Sequence, residues 1–223
     1  MFHKKTTLLF DLDGTLTDPM IGITKSVQYA LKKYGIIEED LWNLTKFIGP
    51  PLSHSFRKYY GFSEEESHRA VEYYREYFAP TGKFENVVYE GIPTMLETLK
   101  AAGFTLAVAT SKPEVFAKDI LDHFHLSEYF DFIGGALLNG RTDKSEVIAY
   151  VLDHLKSMDM NAEKENVVMI GDREHDLLGA AKNGLDSIGV LYGYGDRKEH
   201  EAAGAGHIVE TVEELKEFLL TLK

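Results

Sequence analysis

The chain contains no cysteine, so disulfides and thiolate-held metal sites are excluded. The reducing cytoplasm is the compartment that fits. No apolar stretch approaches the roughly 20 residues that cross a bilayer. The segment Met1–Phe10 carries lysines and then a brief apolar run that Asp11 and Asp13 cut off, too short for a signal peptide or a span. No membrane partner is therefore expected. Positive charge is also scarce, with 24 Lys and Arg against 36 Asp and Glu, a net charge of −12. Nucleic-acid polymers need basic faces, so none is expected as a partner, whereas one small phosphate can still bind locally. Proline is sparse, at 6 of 223 residues, and no low-complexity tract or internal repeat is present.

What is present is 44% hydrophobic residues, enough for a sizeable core. Thr6–Leu12 reads as a buried strand ended by Gly14. From about Pro19 to Tyr89 the pattern is helical, with amphipathic segments over Ile21–Tyr34, Glu38–Phe47, Leu52–Tyr60 and Ser63–Phe78. Breakers at Gly35, Gly49-Pro50-Pro51, Gly61 and Pro80-Thr81-Gly82 separate them. From Glu90 onward helices and strands alternate. Strands are expected over Thr105–Ala109, Phe130–Ile133, Val167–Ile170, Ser187–Leu191 and His207–Val209. Short runs such as Val167-Val168-Met169-Ile170 suit strands buried on both faces. The expected fold is α/β, a Rossmann-like parallel sheet with helices on both faces. Residues 1–18 and 89–223 would form this core, and residues 19–88 an inserted all-helical cap.

Carboxylates mark the site. Asp11-Leu12-Asp13-Gly14-Thr15 follows the apolar run Leu8-Leu9-Phe10. Residues two apart on a strand share a face, so Asp11 and Asp13 fall together at the carboxyl end of a buried strand, where open α/β sheets bind ligands. Two such carboxylates repel unless a cation intervenes. The same build recurs at Val167–Asp172, where Gly171 and Asp172 follow the strand. Asp11, Asp13 and Asp172 together make a hard, oxygen-rich set that suits Mg²⁺. Asp176 lies about one helical turn beyond Asp172. Two readings stand for it, support of the metal from a second layer or complementarity to a helix N-terminus.

Two further elements fit a phosphate. Thr110 and Ser111 end the strand over Leu106–Ala109 and precede Pro113. Hydroxyls and main-chain N–H groups before a helix bind phosphate, although an ordinary helix cap reads the same way. Lys144 falls where a helix begins after Asp143. A cation in a first turn opposes the helix dipole at about 0.3–1 kcal/mol, a misfit explained if Lys144 neutralises a phosphate and a nucleophile.

These four stretches, in this order, resemble the haloacid dehalogenase-like hydrolases of the helical-cap branch, within the phosphoglycolate phosphatase and bacterial 5′-nucleotidase-like group. Asp11–Asp18 matches the DxDGT signature, Thr110 the Ser/Thr motif, Lys144 the lysine motif, and Gly171–Asp176 the GDxxxD form of the acidic motif. The likeness extends over the whole chain. Phosphoglycolate phosphatases often carry their lysine in a Lys-Pro pair, whereas here it follows Thr142-Asp143. That departure weakens the assignment to phosphoglycolate, and together with Gly171–Asp176 and the following Asp186-Ser187-Ile188-Gly189-Val190-Leu191-Tyr192-Gly193-Tyr194-Gly195 it leans the resemblance toward the nucleotidases. The resemblance implies a Mg²⁺-dependent phosphatase acting on a small phosphorylated metabolite, a nucleoside 5′-monophosphate or phosphoglycolate, as a monomer or homodimer. Asp11 would be the nucleophile, Asp13 the acid–base, and Thr110, Ser111 and Lys144 the phosphate holders, with the metal on Asp11, Asp13 and Asp172 and Asp176 behind it. Asp13 argues against a dehalogenase, because a departing halide needs no proton. A phosphomutase keeps all four motifs and stays open. A phosphonate hydrolase would need a cap lysine such as Lys46, and a non-catalytic phosphate-binding protein would not need Asp11 and Asp13.

Charge divides unevenly along the chain. Residues 19–89 carry nine basic and nine acidic side chains, so the whole net charge of −12 falls outside them. Within them Leu41–Ser63 has no acid but holds Lys46, His54, Arg57 and Lys58. Cations in a cap would favour an incoming phosphate, which makes Lys46, His54 and Arg57 candidate substrate contacts. Phe47, Phe56, Tyr59 and Tyr60 are read instead as cap core.

Overall fold

A computed structural model describes residues 4–138 and 140–223, so the first three residues of the Met1–Phe10 segment lie outside the description. The chain forms two compact units, one running up to Thr17 and from Val88 to Lys223, the other Asp18–Val87. It begins with β1 (Thr7–Phe10) and β2 (Thr17–Asp18), followed by helices α1 (Met20–Lys32), α2 (Leu52–Tyr60) and α3 (Glu64–Phe78). After β3 (Val87–Val88) come α4 (Ile92–Ala101), β4 (Thr105–Pro113), α5 (Glu114–His123) and β5 (Phe132–Ala136). Then follow α6 (Lys144–Ser157), β6 (Val167–Gly171), α7 (Glu174–Asn183) and β7 (Asp186–Val190). The chain ends with α8 (Arg197–Ala202), β8 (His207–Val209) and α9 (Val212–Leu220).

In the first unit β5-β4-β1-β6-β7-β8 form one sheet, all of whose pairings are parallel, with helices on both faces. The order places β1 at the centre and makes its carboxyl end the point where the chain switches direction across the sheet. Phe10 aligns with Val108 of β4 and with Ile170 of β6, so three strand ends meet there. Period-two alternation divides the apolar side chains between the faces. Leu9, Ala107, Ala109, Val167 and Met169 meet Val147, Ile148, Val151 and Leu155 of α6. Leu8, Phe10, Leu106, Val108, Val168 and Ile170, on the alternate positions, are also fully buried. Burying each large side chain of this kind contributes about 1.5–3 kcal/mol.

The second unit packs α1 against α3 and against a 3₁₀ turn over Leu41–Phe47. An α-helix over Glu38–Phe47 was the sequence expectation. The Asp40 side chain instead accepts the Trp42 N–H, a local bond that competes with regular helix, and the segment winds tightly from Leu41. Phe47 and Phe56 are buried and meet edge to face at 5.0 Å, with Tyr59, Tyr60 and Phe62 around them. α3 opens with a capping box between Ser63 and Glu66.

Candidate active site

The site forms at the shared carboxyl edge of β4, β1 and β6. Asp11 follows β1 directly and its main-chain N–H donates to the Ile170 carbonyl at 2.9 Å, extending the ladder. Asp172 follows β6 and is fully buried. Thr110, in β4, is 1% exposed, and its Oγ1 accepts the Lys112 N–H at 3.2 Å.

Lys144 arrives by helix periodicity. The buried stripe of α6 includes Val147, Ile148, Val151 and Leu155, and Lys144 lies three and four residues before the first two, so it shares their face. Asp143 caps the helix by accepting the Ser145 N–H at 2.8 Å. The Lys144 ammonium lies 2.8 Å from Asp11 Oδ1 and 2.7 Å from Asp176 Oδ1, and donates to the Ala109 carbonyl at 3.0 Å. Burial alone would lower its pKa, but the Asp11 and Asp176 carboxylates outweigh burial and hold it above the ordinary lysine range.

Carboxylate oxygens of Asp11, Asp172 and Asp176 lie within 4.8 Å of one another, all three residues buried. Asp13 turns its side chain elsewhere, to the Lys112 ammonium at 2.5 Å. Burial raises the pKa of Asp13, against the pull of Lys112. Burial also raises Asp172, well above the carboxylate range, and the Asp176 and Asp11 charges add to that. Four carboxylates thus face two ammonium groups in one buried cluster. Asp172 Oδ1 is buried and accepts no hydrogen bond from any described residue. An all-oxygen donor set short of positive charge, with an orphaned carboxylate oxygen, fits a hard divalent cation such as Mg²⁺.

Gly14 makes this packing possible. Its φ is +82°, and a Cβ there would fall 2.1 Å from Asp172 Oδ2. No side chain fits between the turn after β1 and the Asp172 carboxylate.

The structure therefore brings together Asp11, Asp13, Thr110, Lys144, Asp172 and Asp176, all singled out from the sequence. Ser111 is half-buried beside Thr110. Lys46, His54 and Arg57 lie in the second unit and are exposed, Lys46 resting over the Tyr59 ring at 4.8 Å. Sequence reasoning assigned no role to Lys112, whose partner Asp13 lies far back along the chain. Tyr192 and Tyr194, in the segment after β7 that the resemblance singled out, had no role assigned to them from the sequence. The Tyr192 hydroxyl donates to the Thr15 carbonyl at 3.1 Å, and the Tyr194 N–H donates to Asp172 Oδ2 at 2.8 Å.

The chain is similar to known phosphatases over most of its length. A 5′-nucleotidase from Pseudomonas aeruginosa is 50% identical over 213 residues, covering 95% of this chain and 94% of that protein. A phosphoglycolate phosphatase from Aquifex aeolicus is 33% identical over 188 residues, 84% of this chain and 85% of that one. The crystal structure of a predicted phosphatase from Clostridium acetobutylicum superposes with a TM-score of 0.91 at 51% identity, covering 98% of this chain and 99% of the other. The model of the haloacid dehalogenase-like hydrolases matches residues 8–190, which include Asp11, Asp13, Thr110, Lys144, Asp172 and Asp176, and the chain belongs to that family.

Proposed function

We propose that this protein is a Mg²⁺-dependent phosphatase that hydrolyses a small phosphate monoester, a nucleoside 5′-monophosphate by preference, through an aspartyl-phosphate on Asp11. The observation that carries the reading is the buried cluster in which Asp11, Asp172 and Asp176 converge beside Lys144, with Asp13 in the same cluster but paired with Lys112.

The chemistry follows from these positions. An Asp11 carboxylate oxygen bonds to phosphorus as the bond to the leaving oxygen breaks, which divides one hard hydrolysis into two steps. Asp13, raised by burial, gives its proton to the leaving oxygen and then takes one from the attacking water. That water's oxygen bonds to phosphorus, the Asp11–phosphorus bond breaks, and inorganic phosphate departs. Thr110 and Lys144 hold the equatorial oxygens, where phosphoryl transfer concentrates charge, and Ser111 adds to that cradle. Mg²⁺ on Asp11 and Asp172, with the Asp13 main chain in support, would neutralise the phosphate and the nucleophile. Asp176 has one oxygen on Lys144 and the other on the Arg173 N–H at 3.1 Å, which suits a supporting place beside the ion.

The preference for a nucleoside monophosphate rests on the Pseudomonas aeruginosa relative, matched at 50% identity over nearly both whole chains. The test is a panel of nucleoside monophosphates, phosphoglycolate, sugar phosphates and pyrophosphate, assayed with Mg²⁺ for phosphate release. Nucleoside monophosphates should give the highest kcat/KM. Conversion of a sugar phosphate to its isomer without phosphate release would identify a mutase instead. Asp11→Asn should abolish turnover in a folded protein, and wild-type-like turnover by that variant would sink the mechanism.

A further inference from the structure

The segment after β7 supplies four bonds to the loop that carries Asp172, and two of its side chains take part in no step above. α8 begins after Asp196, whose side chain accepts the Glu199 N–H, and it places Glu199 and His200 side by side against residues 172–174. Glu199 Oε1 accepts the Glu174 N–H at 2.7 Å and the Arg173 Nε–H at 2.9 Å. His200 is fully buried, and its Nε2 lies 2.8 Å from the Asp172 main-chain oxygen. A carbonyl only accepts, so Nε2 carries the hydrogen and the ring is held as that tautomer. Tyr194 supplies the fourth bond, from its N–H to Asp172 Oδ2.

The space for the imidazole is built in. A Cβ on Gly195 would come within 2.0 Å of the Asp172 oxygen and 2.6 Å of His200 Nε2, and one on Gly189 within 2.5 Å of Nδ1. The His200 Nδ1 is buried and has no hydrogen-bond partner among the described residues. A fully buried imidazole used at one nitrogen alone is a costly choice for filling space, and an apolar side chain would fill the same volume without that cost. The bond to Asp172 is the one polar contact that His200's side chain makes among the described residues.

We propose that His200, backed by Glu199, is a positioning residue that fixes the Asp172 carboxylate for the divalent cation. Its Nε2–H pins the main chain of residue 172 from behind, while Glu199 fixes the two residues that follow. Asp172 Oδ2 accepts the Tyr194 N–H, and Oδ1 is left without a hydrogen-bond partner among the described residues, in a carboxylate that has an oxygen within 4.8 Å of those of Asp11 and Asp176. Groups that orient a metal ligand in this way commonly change metal affinity 10- to 100-fold when removed. The inference rests on the metal reading of the preceding subsection.

Calorimetric titration of Mg²⁺ without substrate tests it, on the wild type, His200→Leu, His200→Gln and Asp172→Asn. His200→Leu should weaken Mg²⁺ binding at least about tenfold, and His200→Gln, which keeps an N–H at a similar reach, should recover most of that loss. If His200→Leu does not fold, Glu199→Ala, on the more exposed side of the same clamp, should weaken binding in the same direction. An Mg²⁺ constant equal to wild type in the folded variant, or equal losses in the Leu and Gln variants, would overturn the inference alone. If the wild type takes up no Mg²⁺, or Asp172→Asn binds it as well as wild type, the metal reading falls and takes this inference with it.

Discussion

Gly14 is the residue at which backbone and chemistry are hardest to separate. Its φ of +82° is a conformation that other residues adopt at a cost of about 1–3 kcal/mol, and a Cβ would occupy the place of Asp172 Oδ2. Gly14→Ala should therefore lower stability by at least about 1 kcal/mol and should also displace Asp172, so that kcat falls by more than the loss of folded protein explains. Urea unfolding and the activity of the folded fraction separate the two effects, and a variant with wild-type kcat would show that Asp172 does not need its present place. At this scale the sequence was informative about the acids and about Lys144, whose place in a first helical turn stood out, and less so about the other partners. Asp11, Asp13 and Asp172 were legible because a charged residue directly after a buried apolar run is out of place unless it is used. Lys112 and His200 were not, because each is defined by a contact far along the chain, with Asp13 in one case and with the Asp172 carbonyl in the other. A lone Lys before Pro, or a His amid charged residues in a six-residue helix, reads as surface until the fold buries it.

Elements were read more reliably where a single period governed them. α2 runs over Leu52–Tyr60 and β8 over His207–Val209, the same limits the patterns give. β4 extends past the expected Ala109 through Thr110 to Pro113, because the ladder with β5 continues across a register shift between Thr110 and Pro113. That shift is a long-range pairing and leaves no trace in local composition. α2 also carries a prediction of its own. It has basic residues in its last turn, Arg57 and Lys58, and no acid in its first, and Arg57 is exposed. Core residues hold the phosphoryl group that every substrate shares, so only contacts with the leaving group can discriminate among substrates. If α2 serves the substrate, Arg57→Ala should raise KM more for a nucleoside monophosphate than for a plain aryl phosphate. A solvated arginine would change neither by more than the roughly 0.5 kcal/mol expected of a surface substitution. Equal KM changes for the two substrates would remove α2 from the specificity element.

For the molecule as a whole, the buried acids make stability and metal binding one problem. The chain carries a net charge of −12, and part of that excess is concentrated at a single buried point, where Asp11, Asp13, Asp172 and Asp176 exceed Lys112 and Lys144 in charge. Burial raises Asp13, Asp172 and Asp176, which means that the folded, metal-free protein holds their ionised forms at a cost. A ligand that binds the folded state alone stabilises it by RT ln(1 + [L]/Kd), about 2.7 kcal/mol at one hundred times Kd. Mg²⁺ should accordingly raise Tm in proportion to the logarithm of its concentration, and chelator should lower Tm and stop turnover together. Ca²⁺ should raise Tm as well, since it accepts the same oxygens, yet restore activity poorly because its longer bonds and looser geometry misplace the phosphate for in-line transfer. Asp172→Asn provides the internal control, as it removes one negative charge from the cluster and one ligand from the ion. That variant should be at least as stable as wild type in chelator and should lose most of the Mg²⁺-induced rise. Thermal unfolding of the two proteins with and without each cation decides the matter. A Tm shift of the same size in Asp172→Asn would place the stabilising ion somewhere other than this cluster.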